Sequence, residues 1–178
     1  MIVDPPVQGG DHIDWDRVAE GSGLRFPADY RDFVAVYGGG TIDDFLTIST
    51  PPVPGSVYGN LLTRGRGHVN ERVVRELAGV VDDPAAYPLL AFAATSGGDE
   101  VLWLCDNPDP DKWRILVRGR HTVNRWSVFN LNLLNFLLAM ICGELANPFS
   151  QSGFPASPCR FTGWREEDAY FESLGPPT

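Results

Sequence analysis

The middle third of the chain constrains the fold more than any other part. Leu89 to Ala94, Val101 to Cys105 and Trp113 to Val117 are β-rich runs, separated only by Ser96-Gly97-Gly98-Asp99 and by Asn107-Pro108-Asp109-Pro110-Asp111. A parallel strand pair needs a crossover of about a dozen residues or more, whereas short connections of Gly, Asn, Asp and Pro make tight turns. These runs therefore predict an antiparallel meander. A fourth strand over Arg125 to Phe129 prolongs it, and Leu46 and Ile48 alternating with Thr47 and Ser49 predict one more strand upstream, closed by Pro51-Pro52.

Helical spacing flanks this block. A short helix is expected from Asp14 to Glu20, with Asp14 as its N-cap, Ile13 and Val18 as a hydrophobic staple, Trp15 as its apolar anchor and Gly21 as its end. In the next, Pro27 suits the first helical position, Asp29 complements the dipole, and Tyr30, Phe33, Val34 and Tyr37 recur on one face until Gly38-Gly39-Gly40 stops it. Pro51 to Val69 reads as loop. A third helix follows over Glu71 to Ala78, with Asn70 as N-cap, a Val69–Val74 staple, and Val73, Val74 and Leu77 on one face. A fourth is expected from a cap at Asn130 to about Cys142. There Leu133, Leu134, Leu137, Leu138, Met140 and Ile141 leave little polar face, which predicts the most buried helix of the fold. Beyond Gly143 the chain reads as irregular, pinned by Phe149, Phe154 and Phe161, and Trp164 to Leu174 has the pattern of a short acidic amphipathic helix ahead of Gly175-Pro176-Pro177.

A chain of 178 residues with 43% hydrophobic residues predicts a single domain. At that size about 70% of the unfolded surface is buried, so neither disulfide nor structural metal is required. The formal charge of −9 disfavours nucleic-acid binding, which draws its affinity from clustered Lys and Arg; it suits a basic protein partner, and equally a domain whose like charges simply keep its copies apart in solution. Three widely spaced cysteines, Cys105, Cys142 and Cys159, without a CxxC pair, predict reduced thiols in a cytoplasm. The N-terminus lacks the basic and apolar regions of a secretory signal, and the longest apolar run, Phe136 to Cys142, is far short of the ~20 residues of a membrane span. The expectation is a cytoplasmic protein with no membrane or nucleic-acid partner; the sequence leaves its oligomeric state open.

Chemical motifs are sparse. His12, His68 and His121 are scattered, and the three carboxylates from Asp106 to Asp111 lack the glycine and distal glutamate of an EF-hand loop, so no metal or other cofactor is expected. Ala94-Thr95-Ser96-Gly97-Gly98 misses the first glycine of a nucleophile elbow, which leaves Ser96 a turn residue. Cys105 and Cys142 sit in apolar elements and are expected to be inert, with Cys159 the more exposed. Gly65-Arg66-Gly67-His68-Val69-Asn70 lacks the third glycine of a dinucleotide fingerprint. Arg118, Arg120 and Arg125 make one local basic group, read as surface charge balance. No catalytic constellation emerges.

The order of local features carries more. The Trp15 helix is followed by Leu24-Arg25-Phe26-Pro27-Ala28-Asp29-Tyr30-Arg31-Asp32-Phe33 and Tyr37-Gly38-Gly39-Gly40. Next come Pro88 to Thr95, Gly98-Asp99-Glu100-Val101-Leu102-Trp103, Asp111 to Arg120, Trp126, and Phe136-Leu137 with Gly143-Glu144-Leu145. In this order the chain resembles the SUKH superfamily, the SMI/KNR-type cell-wall-assembly regulators and bacterial immunity proteins, over roughly 13–161; the loop from Pro51 to Asn70 and the irregular extension 162–178 lie outside the likeness. The resemblance implies an α+β fold with a single mostly antiparallel sheet packed by helices. It also implies binding rather than catalysis: an immunity protein that neutralises a cognate, basic toxin domain, with a regulatory or scaffolding module as the alternative. Acidic residues near turns are the candidate contacts for such a partner, namely Asp43 and Asp44, Asp99 and Glu100, and Asp106, Asp109 and Asp111. For any one of them, capping its own turn is an equal reading.

Overall fold

The computed structural model describes residues 3–64, 66–67, 71–122 and 125–175. Its strands are β1 (Gly40–Ile42), β2 (Leu46–Ile48), β3 (Arg66–Gly67), β4 (Leu89–Thr95), β5 (Glu100–Leu104), β6 (Arg114–Arg118), β7 (Trp126–Phe129) and β8 (Phe161–Gly163). The helices are α1 (Trp15–Ser22), α2 (Ala28–Val36), α3 (Leu61–Arg64), α4 (Glu71–Leu77), α5 (Leu133–Ile141) and α6 (Trp164–Leu174).

The expected meander forms: β4, β5, β6 and β7 pair consecutively and antiparallel. They belong to one sheet ordered β7-β6-β5-β4-β2-β1-β8, with β3 pairing β4 beside β2. This is the α+β arrangement, one antiparallel sheet with helices packed on it. Alternation along the strands assigns two faces. Val101, Trp103, Ile115 and Val117 meet Tyr30 and Phe33 of α2 and Leu133, Phe136 and Leu137 of α5 in the main core. On the opposite face Leu102, Leu104, Leu116 and Trp126 meet Val73 and Leu77 of α4. A register shift between Ala91 and Ala93 puts Phe92 and Ala93 in the same core, a bulge that brings the second half of β4 into phase with β2.

Local chemistry explains the N-termini of α1, α2 and α5 and corrects several expected ends. Asp14 caps α1 by accepting from the Arg17 N–H at 3.0 Å, as its position predicts, but Gly21 lies within the helix, which ends at Gly23. Pro27 is the N-cap of α2 rather than its first helical residue. A proline side chain accepts no hydrogen bond, and Asp111 Oδ1 takes the Ala28 N–H at 2.6 Å instead. The cap of α5 is Asn132, not Asn130: its side chain accepts from the Asn135 N–H at 2.9 Å, and Asp29 of α2 accepts the Leu134 N–H at 3.0 Å. The Asn70 cap, the Val69 half of its staple and His68 lie outside the described residues.

Three expectations change at the level of packing. The triglycine ends α2 but also starts a strand, because a Cβ on Gly40 would collide with the Thr162 carbonyl oxygen, and only glycine lets β8 pair there. The stretch from Pro51 to Val69 is not all loop; α3 lies within it and Leu61 is fully buried. Of the stretch 162–178, the described part to 175 is not irregular, since Phe161–Gly163 forms the outer strand and α6 follows directly. Helix α5 buries Leu133, Phe136, Leu137 and Met140, more than any other described helix and as its sequence predicts, but it is not enclosed on every side. Leu134 and Leu138 are exposed and, with Phe33, Tyr37, Ile141 and Phe161, line an open apolar groove of about 370 Å³.

Candidate functional site

The surface best suited to a partner is built around α6, and a buried carboxylate positions that helix. Asp11 is 1% exposed. Its Oδ2 accepts the Gly39 N–H at 2.9 Å, while Oδ1 accepts Trp164 Nε1–H at 3.0 Å and pairs with Arg165 at 2.9 Å. The Arg165 guanidinium lies over the Trp164 ring, 4.3 Å from its centroid. In the same first turn, Glu166 accepts the Val7 N–H at 3.3 Å, and Glu167 accepts from Thr41 Oγ1 at 3.2 Å and from the Tyr58 hydroxyl. Burial, then the hydrogen bond to Glu167, push the Tyr58 hydroxyl pKa well up, and the charges of Glu167, Asp44 and Asp168 reinforce the shift.

These contacts end at Glu167. Glu167, Tyr170, Phe171 and Leu174 share one helix face by spacing, but only Glu167 has sheet beneath it. From Asp168 to Leu174 every residue is exposed, Tyr170 at 61%, Phe171 at 64% and Leu174 at 62%. Asp168 and Glu172 of the same helix supply negative charge beside them, and the exposed Asp44 adds its charge near Tyr58, whose hydroxyl Glu167 accepts. Aromatic anchors inside a charged rim are the composition of a protein interface core with its border, and a negative border complements a basic partner.

No protein-family model matches this chain, and neither does a curated protein or a solved structure.

Of the acidic residues expected to meet a partner, the structure gathers four at one end of the sheet and leaves three at the other. The β1–β2 turn with Asp43 and Asp44 lies beside the β4–β5 turn with Asp99 and Glu100, as the Leu46–Thr95 pairing and the Ser96 N–H to Phe45 oxygen bond require. Asp106, Asp109 and Asp111 occupy the β5–β6 connection at the opposite end.

Most of them have structural duties. Asp43, at φ +52°, accepts the N–H groups of Ala156 and Arg160, both at 2.8 Å. Asp99 requires a correction: at 0% exposure it offers no surface to a partner. Burial alone would raise its carboxyl pKa. Hydrogen bonds from the Ser150 hydroxyl, the Arg120 and Ser150 N–H groups and the Thr95 hydroxyl outweigh that and hold it below the usual range. Glu100 pairs with Arg118 at 2.7 Å and Asp106 with Arg114. Asp109 caps the 3-10 turn Pro110–Lys112, and Asp111 holds α2. Of the seven, Asp44 is the one whose charge reaches the Tyr58 hydroxyl that Glu167 of α6 accepts. The spacing of Tyr170, Phe171 and Leu174 was legible, but whether they turn inward depends on where α6 sits, which no local pattern records.

The thiols also exchange places. Cys142 is the exposed one, while Cys105 and Cys159 are partly buried against the core. Burial, aided by Asp106 for the first and Asp43 for the second, pushes both thiols up to about 12, so neither is an activated nucleophile. Among the described residues no group of three or more His, Cys, Asp or Glu side chains forms a metal site, and no helix is long and apolar enough to cross a membrane.

Proposed function

We propose that this protein works by binding, as an immunity protein that engages a basic, cognate toxin domain in the cytoplasm and neutralises it by occlusion rather than by catalysis. The observation that carries the reading is the free half of α6: Tyr170, Phe171 and Leu174 stand exposed with Asp168 and Glu172 on the same helix, whose first turn is anchored. An anchored helix loses little freedom on binding, and aromatic side chains contribute large contact area with few rotatable bonds. The SUKH-like order of sequence features supports the same reading, and three free thiols suit a reducing compartment.

The test is co-expression with toxin domains encoded beside this gene. The wild-type chain restores growth against one of them and co-purifies with it, whereas Tyr170→Ser/Phe171→Ser/Leu174→Ser folds normally and loses both. If no neighbouring toxin is neutralised and pull-downs return only cellular housekeeping proteins, the protein is a scaffolding module instead.

A further inference from the structure

The sheet face that carries α4 holds a second charged site of opposite sign. Arg72 and Glu76 of α4, Arg118 at the end of β6, Arg120 in the following turn and Arg125 before β7 line one open cavity of about 390 Å³. Glu76 Oε1 accepts from Arg72 at 2.9 Å and from Arg125 at 2.6 Å, and its Oε2 accepts from Trp126 Nε1–H at 3.2 Å. Arg118 pairs with Glu100. Four guanidinium groups thus face two carboxylates. Asp99, which accepts the Arg120 N–H, is buried with both oxygens hydrogen-bonded.

Arg120 makes no ion pair among the described residues. Its backbone is nonetheless held, the N–H donating to Asp99 Oδ1 at 2.7 Å. Gly98, at φ +86°, has no Cβ, and one placed there would come within 2.9 Å of Arg120 Cδ and Nη1. The turn glycine therefore leaves room for the Arg120 side chain beside it, in the lining of the cavity. Each guanidinium carries five N–H donors, most of them unused by these contacts. Clustered like charges with donors to spare, in a chain of net charge −9, are stabilised by an anion, and arginine favours the bidentate geometry of phosphate.

We propose that this arginine cavity binds a multiply charged phosphate, a pyrophosphoryl group carried either free or on a nucleotide. Arg120 and Arg125 hold it directly, and Glu76 fixes the forks of Arg72 and Arg125 around it. The site is distinct from α6: Arg118 lies on β6 and Thr41, which meets α6, on β1, with β5, β4 and β2 between them.

Titration calorimetry of the full chain at constant ionic strength tests this, with inorganic pyrophosphate, ADP, adenosine and an oligoglutamate peptide as probes. Saturable one-to-one binding of pyrophosphate and ADP is expected, with none of adenosine. Equal affinities for the two point to the free anion, and tighter ADP binding points to a nucleotide. Arg120→Gln weakens binding about tenfold or more, Glu100→Gln tightens it by releasing Arg118, and Arg17→Gln on α1 leaves it unchanged. The proposal fails if neither phosphate saturates, if Arg120→Gln binds as the wild type does, or if oligoglutamate binds tighter than pyrophosphate, which would make the cavity a dock for acidic protein segments.

Discussion

Asp11 and Trp164 are 153 positions apart, yet Asp11 Oδ1 accepts the indole N–H at 3.0 Å inside a site where the aspartate is 1% exposed. This contact joins the N-terminal segment, the turn after α2 and the start of α6. Removing one member of a buried charged network leaves the others unpaired, so Asp11→Ala costs about 3–5 kcal/mol of stability. Trp164→Phe, which keeps a ring and loses one hydrogen bond, costs about 1–2 kcal/mol. Urea denaturation measures both, and faster amide exchange over 164–174 in Asp11→Ala would show that α6 is released first.

Asp99 supplies an acid-sensitive pin. Its carboxyl pKa is held below the usual range by donors from Thr95, Arg120 and Ser150, so its stabilisation is complete above the ordinary carboxylate range and is lost as pH falls through the folded value. Glu76 behaves alike. The hydrogen bond from Arg72 above all, aided by Trp126 and Arg125 and opposed by burial, lowers it to about 2. Thermal melts from neutral to acid pH should fall less steeply for Asp99→Asn and for Glu76→Gln than for the wild type, although both variants start lower.

The core prediction concerns Trp103, 1% exposed and stacked on Phe92 with ring centroids 4.1 Å apart, with Tyr30 meeting it edge-on at 4.9 Å. Trp103→Ala costs about 3–5 kcal/mol, and Phe33→Ala and Leu137→Ala, also buried, cost about 2–5 kcal/mol each. Chemical denaturation of the three variants is the check; unchanged midpoints would contradict the packing.

On α6 the opposite holds for stability. Tyr170, Phe171 and Leu174 bury little, so each change to Ser alters stability by no more than about 0.5 kcal/mol. Asp44→Asn and Asp168→Asn should slow association with a basic toxin domain at about 50 mM salt and have little effect near 500 mM, because screening removes steering. Stopped-flow association rates read this directly.

Thiol reactivity sorts the cysteines. Cys142 is exposed and is labelled by maleimide within the time that Cys105 and Cys159, with thiols pushed up to about 12, stay unmodified near neutral pH. Intact-mass measurement before and after unfolding should show one fast label and two that appear on denaturation.

The elements legible before folding are those whose information is local. Turn residues between the runs from Leu89 to Val117 specify an antiparallel meander, and helix spacing around Tyr30, Phe33 and Val34 specifies a helix with one buried face. Local sequence also bounds Trp164–Leu174 as a helix, since amphipathic spacing and the glycine at its end are both short-range signals. Tertiary structure decided what those elements meet. Gly40 reads as a helix stop until β8 arrives across from it, and Asp111 reads as one more acidic loop residue until the uncapped N-terminus of α2 is placed beside it. Asp99 reads as a surface turn acid until Ser150 folds over it. Arg72 and Arg125 belong to different elements, and only the packing of α4 on the sheet brings both to Glu76. Residues far apart in the chain form such contacts only after the sheet has closed the intervening loops. Burial and charge environment, the two quantities that convert a residue into a site, are properties of that closure and have no local signature.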